Sequence, residues 1–113
     1  MINYDIPSTV KGDTFEGIEF SVIRNGSALD LTGASIKMDL RLIPTGILGK
    51  RFAIGSGLTL ATPPSTGIFQ LDKQTVDIPA NTYDYDIEIT LANAEVYTWI
   101  SGTWTILQDV THA

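Results

Sequence analysis

The fold class of this chain is decided by Tyr83-Asp84-Tyr85-Asp86-Ile87-Glu88-Ile89-Thr90-Leu91, in which apolar and polar residues alternate. The aromatic and aliphatic side chains fall at every second position, and the acidic side chains and Thr90 fall between them. Successive side chains of a β-strand point to opposite faces of the sheet. The stretch therefore predicts a central core strand with one apolar face and one acidic face.

Two further segments upstream carry strand signals. Ala34 to Ile43 alternates in the same way, with Ile36, Met38, Leu40 and Leu42 predicted to face inward. Asn25-Gly26 is a strong hairpin signal, because both residues tolerate the positive φ of a type I′ turn. A two-residue loop there would pair Arg24 with Ser27, Val22 with Leu29 and Phe20 with Leu31, which places the apolar residues on one face.

Downstream of Leu91 the sequence predicts two turns. A three-residue loop at Ala92-Asn93-Ala94 would keep the next strand in register with the apolar face of the core strand, whereas a two-residue loop would reverse its faces. Ser101-Gly102 is interpreted as a second turn, which would pair Trp99 with Trp104 and Tyr97 with Ile106. The predicted core face of this hairpin comprises Tyr97, Trp99, Trp104, Ile106 and Val110.

Short strands separated by turn signals point to one all-β domain over residues 1–113, an antiparallel, immunoglobulin-like β-sandwich of about seven to nine strands. The sequence Pro79-x-x-x-Tyr83 resembles the corner of such sandwiches, in which a tyrosine hydroxyl closes off a loop. At 113 residues the chain is long enough to bury a core.

Composition narrows the functional classes. The net charge is −6, and the seven basic residues are scattered, so nucleic-acid binding is not expected. The absence of cysteine excludes disulfides, zinc–thiolate sites and cysteine nucleophiles. No apolar run reaches the roughly 20 residues that a bilayer requires, and the N-terminus has no secretory signal pattern.

Catalytic and metal sites find little support in the sequence. The single histidine, His112, lies next to the C-terminal residue, where a triad or a metal site is hard to build. Asp84, Asp86 and Glu88 could suggest calcium, but alternate residues of a strand lie about 6.6 Å apart. Calcium requires oxygens at roughly 2.3–2.6 Å, so a solvated or partner-facing ladder is the favoured interpretation. We therefore expect no enzyme activity, no cofactor and no small-molecule substrate.

The terminal hairpin suggests two alternative roles. Its two tryptophans and Tyr97 could form a platform for sugars, which would make the chain a carbohydrate-binding module, although the predicted register favours a core position. The reverse side would present an apolar and threonine-rich strip suited to packing against another chain. With the acidic ladder, the candidate partner surface comprises Val96, Thr98, Ile100, Thr103, Thr105, Leu107, Asp84, Asp86 and Glu88.

Several motifs resemble the N-terminal domain of tailed-phage baseplate upper proteins. The resemblance spans roughly Thr9 to Thr111 and weakens between Pro44 and Pro64. The motifs that carry it are Gly12-Asp13-Thr14, Leu29-Asp30-Leu31-Thr32-Gly33-Ala34-Ser35-Ile36, Thr82-Tyr83-Asp84-Tyr85-Asp86-Ile87-Glu88-Ile89, Val96-Tyr97, Gly102-Thr103-Trp104-Thr105-Ile106 and Asp109-Val110-Thr111.

The resemblance implies an immunoglobulin-like domain that takes part in virion assembly and has no catalytic residues. It implies other tail or baseplate proteins as partners, copies of the same chain in a homo-oligomer, and a location in virions assembled in the bacterial cytoplasm. Members of that family continue into a helical or fibre region, whereas this sequence ends at Ala113. The resemblance therefore leaves three alternatives open: a protein with a receptor-binding appendage, a small stand-alone tail or neck component, or a domain within a prophage cassette.

Overall fold

The structure is a computed structural model that describes residues 2–109, and within that range it contains β-strands and one short 3-10 turn, Pro64–Thr66. The predicted all-β class is confirmed. The strands are Ile2–Asn3 (β1), Ile6–Val10 (β2), Thr14–Phe15 (β3), Ile18–Ser21 (β4), Ile23–Arg24 (β5), Ser27–Ala28 (β6), Ser35–Leu42 (β7), Leu48–Ile54 (β8), Gly57–Leu60 (β9), Ile68–Leu71 (β10), Gln74–Thr75 (β11), Asn81–Thr90 (β12) and Val96–Leu107 (β13).

Nine strands form the main sheet, in the order β1-β13-β12-β7-β8-β9-β10-β4, with β2 also paired to β13. The prediction of a purely antiparallel sheet is wrong, because β1 and β2 both run parallel to β13, and β8 is parallel to β9. The N-terminal segment enters beside β13 and follows its direction. Two short pairs, β3 with β11 and β5 with β6, complete the fold.

The main sheet curls so that its two halves face each other across one core, as the layers of a sandwich do. Phe20 on β4 and Phe69 on β10 each meet the ring of Trp99 on β13 edge-on, with centroids 5.9 Å apart. These strands lie near opposite ends of the sheet order. Their aromatic contact therefore closes the curl, and such pairs add to the stabilisation from apolar burial.

Strand β12 is the core strand that the alternation predicts. Tyr83, Tyr85, Ile87 and Ile89 are buried, whereas Asp84 and Asp86 are exposed on the opposite face. The strand pairs with β7 on one side and β13 on the other, so it lies within the sheet. Ile36, Met38 and Leu40 of β7 are buried as predicted, while Leu42 is half-buried.

The loop between β12 and β13 confirms the predicted three-residue length. The Leu91 N–H donates to the Glu95 carbonyl at 2.8 Å, which leaves 92–94 as the loop, and Ala94 adopts a positive φ of 72°. Tyr97 consequently lies opposite Ile89. The odd loop length therefore sets the register at the start of β13.

The predicted turn at Ser101-Gly102 is wrong, because β13 runs without interruption through both residues for 12 residues. Trp99 and Trp104 therefore lie on the same strand and do not pair. Gly102 serves a different purpose: a Cβ at this position would lie 1.9 Å from the carbonyl oxygen of Tyr4. The glycine allows the N-terminal segment to pass directly against β13.

A β-bulge in β13 changes which side chains face the core. The register against β12 shifts between Ile87 and Glu88: Thr98 pairs with Glu88, Ile100 pairs with Ile87, and Trp99 is the extra residue. Ile100 is consequently only 3% exposed. Its predicted position on the outer surface is wrong, because the bulge adds one residue and reverses the alternation beyond it.

The hairpin at Asn25-Gly26 has the predicted Arg24–Ser27 pair, and the Leu29 N–H donates to the Val22 carbonyl at 2.9 Å. The predicted Phe20–Leu31 pair is wrong. Phe20 instead pairs with Phe69 of β10, because the segment from Thr14 to Arg24 is divided into three short strands and β4 joins the main sheet. Both Phe20 and Leu31 are still buried.

The predicted tyrosine corner is present at the start of β12. The Tyr83 hydroxyl donates a 2.6 Å hydrogen bond to the Pro79 carbonyl, four residues upstream. The Tyr83 side chain is buried, and its burial raises the pKa of the phenol. The bond therefore fixes how the preceding loop enters the core strand.

Candidate functional site

The outer face of β12 and β13 brings together most of the candidate partner residues. Thr98, Thr103 and Thr105 of β13 lie opposite Glu88, Asp84 and Thr82 of β12. At the two ends of β13, Val96 and Leu107 are 55% and 46% exposed. Only Ile100 leaves the predicted set, so one continuous face carries Val96, Thr98, Thr103, Thr105, Leu107, Asp84, Asp86 and Glu88.

Pairing with β7 places a basic residue opposite two of the three acidic residues of β12. Asp84 lies opposite Arg41, and Glu88 lies opposite Lys37, whose Nζ is 3.9 Å from the Glu88 Oε1. Asp86 lies opposite another carboxylate, Asp39. Residues directly opposite on neighbouring strands are close enough for like charges to be unfavourable.

Asp39 is neutralised from the other side by Arg51 of β8. The Arg51 Nε and Nη2 donate to the two Asp39 oxygens at 2.6 and 2.9 Å, a bidentate arrangement. Hydrogen bonding to Arg51 holds the pKa of Asp39 below its usual value, with smaller contributions from Arg41 and Lys37. Asp39 is therefore a structural carboxylate whose charge is already balanced.

Asp86 has the opposite environment. Partial desolvation raises the pKa of its carboxyl, and the negative charges of Asp39 and Glu88 raise it further, against a smaller effect of Arg41. A cation approaching this face would relieve the repulsion. Asp86 is therefore the carboxylate on β12 that gains most from a positively charged partner.

These carboxylates lie in a groove of about 540 Å³ on the outer face. The N-terminal segment forms one side, where the Asp5 carboxylate accepts a 3.0 Å hydrogen bond from the Thr103 N–H. The Tyr85 hydroxyl donates to the Tyr4 carbonyl, and the Tyr4 N–H donates to the Ser101 carbonyl at 2.8 Å. Arg41 is the one basic residue among the lining residues, which are Asn3, Asp5, Asp39, Arg41, Asp84, Tyr85, Asp86, Ser101, Gly102 and Thr103.

Sequence reasoning missed this groove because its side comes from Asn3 and Asp5, about 80 residues away from β12. The signal available was Gly102, which was interpreted as a turn residue. A glycine within a strand also marks a close approach of another backbone, and that is its role here.

Residues 2–109 contain neither a metal-binding cluster nor a membrane-spanning helix. No group of three or more histidine or acidic residues in that range could hold a metal ion. No helix there is long and apolar enough to cross a membrane. His112 and Val110 lie outside the described residues.

The aromatic residues proposed as a sugar platform are separated by the fold. Trp104 is fully buried, stacks at a tilt on Phe15 with centroids 5.1 Å apart, and donates its indole N–H to the Thr9 hydroxyl at 3.1 Å. Tyr97 and Trp99 are half-buried and line a separate hollow of about 310 Å³ beside Arg24. The three aromatic rings therefore do not form one exposed plane.

The chain was also compared with known proteins. No protein-family model matches it, and no curated protein is significantly similar to it.

Proposed function

We propose that this protein is a non-enzymatic structural protein of a phage or prophage virion, which docks onto other tail or baseplate proteins through the outer face of β12 and β13. The surface would act as an adaptor in assembly, with no cofactor or substrate. The virion context is supported by the resemblance of the motifs quoted above to the baseplate domain family.

The observation that carries the docking role is the charge of the groove. Four carboxylates, those of Asp5, Asp39, Asp84 and Asp86, line it with one arginine. With Asp39 held by Arg51, Arg41 is the one cation in the lining for the other three carboxylates, so Asp5, Asp84 and Asp86 together keep an excess of negative charge. A lysine- or arginine-rich segment of another protein has the complementary charge, and such complementarity accelerates encounter and selects the partner.

Exposed apolar side chains at both ends of the face extend the proposed contact. Val96 and Leu107 flank the threonines of β13, so a partner lying across the groove would bury apolar surface at each end. Apolar burial would supply affinity while the groove would supply orientation.

The test uses the products of the reading frames beside that of this protein, each purified and titrated against it. Asp84→Asn with Asp86→Asn should weaken binding of a tail protein by about tenfold or more and reduce its salt dependence. Asp77→Asn, and the double variant Asp13→Asn with Asp77→Asn that removes the same two charges, are the controls at exposed positions outside the groove. If no neighbouring product binds, or if the groove variant binds as well as the controls, the proposal fails.

A carbohydrate-binding module is the second candidate, and the hollow lined by Tyr97 and Trp99 is the observation that favours it. A half-exposed aromatic beside Arg24 could receive one sugar ring, whereas buried Trp104 could not. Glycan-array binding that is lost in Tyr97→Ala, with unchanged thermal unfolding, would support this function. Uniformly negative arrays would reject it.

A further inference from the structure

The hollow of about 310 Å³ lies on a different part of the surface from the acidic groove. It opens between β1 at one end of the main sheet and the segment that follows β4 at the other end. Its lining is made largely by residues of the core, of which Val22 and Ile89 are buried and Leu29 and Trp99 are half-buried. The hollow is therefore an apolar seam between the two halves of the fold.

The rim of the seam exposes large apolar side chains. Ile23 on β5 is 65% exposed and Ile2 on β1 is 52% exposed, and both line the hollow. Solvent-exposed isoleucines on either side of an apolar opening make a contiguous patch. Such patches mark contact sites more often than isolated exposed residues do.

Charge favours the seam over the rest of the surface as a contact between two copies of this chain. Two copies, each with a net charge of −6, repel one another over most of their surfaces. The groove on the outer face carries four carboxylates, and the hollow beside β9 and β10 includes Glu19. The seam is lined by no carboxylate and by one cation, Arg24, so two copies repel one another less there than at either of those hollows.

The charges at the edge of the seam are also self-complementary. The Arg24 guanidinium lies 4.6 Å from the centroid of the Tyr97 ring, and the Tyr97 hydroxyl donates to the Glu95 carboxylate. One positive and one negative group therefore flank the same ring, and within one copy Arg24 adds a small contribution to the lowered pKa of Glu95, after the hydrogen bonds from Tyr97 and Asn93. In a two-fold contact the same patch faces itself, so Arg24 of each copy can lie against Glu95 of the other.

We propose that this seam is the interface of a symmetric dimer, in which Ile2 and Ile23 of the two copies pack together and Arg24 pairs with Glu95 across the two-fold axis. The interface deepens the proposed assembly role by naming the surface used between copies. The patch is small, so we expect a reversible dimer of the weak class, with a Kd in the range of roughly 1 µM to 1 mM.

Charge reversal tests the pairing directly by sedimentation velocity over a concentration series of the purified chain. Arg24→Glu places two acidic groups together at each Arg24–Glu95 pair, and Glu95→Arg places two basic groups together there. The Kd for dimerisation of each variant alone should therefore rise by roughly tenfold or more. Mixing the two variants restores opposite charges at both pairs and should restore association. Thermal unfolding of each variant checks that the fold is intact.

The apolar part is tested with two equally exposed isoleucines. Ile23→Asp should abolish the dimer, whereas Ile47→Asp, on the β7–β8 loop with Ile47 61% exposed, should leave it unchanged. The dimer is overturned if the wild-type protein stays monomeric at the highest concentration. It is also overturned if the mixed charge variants dimerise no more strongly than each does alone, or if both isoleucine variants lose dimerisation equally. Retained binding of a tail protein by a monomeric chain would overturn the dimer alone and leave the docking role standing.

Discussion

Asp39 and Asp86 lie directly opposite each other on antiparallel strands, yet their carboxyl pKa values are shifted in opposite directions. The bidentate bond from Arg51 lowers the pKa of Asp39, whereas desolvation and the neighbouring charges raise that of Asp86. The pair sits in the floor of the acidic groove. One carboxylate thus stabilises the sheet, and the other carries unrelieved repulsion that a basic partner would remove.

Asp86→Asn should increase the free energy of unfolding at pH 7 by up to about 1 kcal/mol, the range of an unfavourable cross-strand charge pair. The raised folded-state pKa means that ionisation of Asp86 opposes folding, so this penalty appears as the pH rises through the folded-state value. The gain should therefore vanish below the unfolded value of about 3.9. Urea unfolding at pH 7 measures the gain in unfolding free energy, and urea unfolding at about pH 3 shows whether the gain has vanished.

Asp84→Asn is the matched comparison for that prediction. Asp84 lies on the same face, but a cation, Arg41, lies opposite it on β7 instead of another carboxylate. The substitution should leave stability unchanged or slightly reduced, because exposed pairs contribute little. Equal stabilisation by both substitutions would contradict the assignment of the repulsion to Asp86.

Tyr83→Phe removes the hydroxyl that bonds the Pro79 carbonyl and leaves the buried ring in place. We expect a loss of about 1 kcal/mol, the usual contribution of one such hydrogen bond. Chemical denaturation measures the loss, and Tyr97→Phe, whose hydroxyl bonds the exposed Glu95, provides the control. A cost no larger than that of the control would contradict the structural role of the corner.

Gly102→Ala would force a methyl group against the Tyr4 carbonyl, since a Cβ there lies only 1.9 Å from that oxygen. The N-terminal segment must move away from β13, at a cost of about 1–3 kcal/mol for an overpacked site. Hydrogen exchange should report faster exchange at the Tyr4 amide, which donates to Ser101. Ser101→Ala should leave that amide protected.

Truncation of the two tryptophans should have unequal costs. Trp104→Ala empties a fully buried position and should cost about 3–5 kcal/mol. Trp99→Ala removes a half-buried ring whose contacts are with Phe20 and Phe69, and it should cost less. Thermal unfolding of both variants compares them, and a larger loss in Trp99→Ala would contradict the assignment of Trp104 to the core.

Local pattern was sufficient for the strands that bury one face. The alternation from Tyr83 to Leu91 placed the core strand, and the three-residue loop after it fixed the position of Tyr97 opposite Ile89. Asn25-Gly26 placed a turn correctly because its backbone requirement is local. In each case the deciding interaction lies within a few residues of the motif.

The features that depend on long-range contacts could not be predicted from the sequence. At the bulge the ring of Trp99 packs against Phe20 and Phe69 from the far part of the sheet, and no periodicity within β13 predicts the extra residue. Gly102 has the composition of a turn, but its small size serves the approach of Tyr4 from the other end of the chain. The acidic groove follows from the same approach, so the sequence predicted the acidic face without its concave shape.

Calorimetric titration of the purified protein with the neighbouring tail-gene products is the most direct test of the docking role. At least one product should bind, and Asp84→Asn with Asp86→Asn should weaken this binding by about tenfold or more. Added salt should weaken the wild-type complex more than the variant complex. Asp77→Asn should bind as the wild-type protein does. Binding that is unaffected by the groove substitutions, or no binding to any of these proteins, would contradict it.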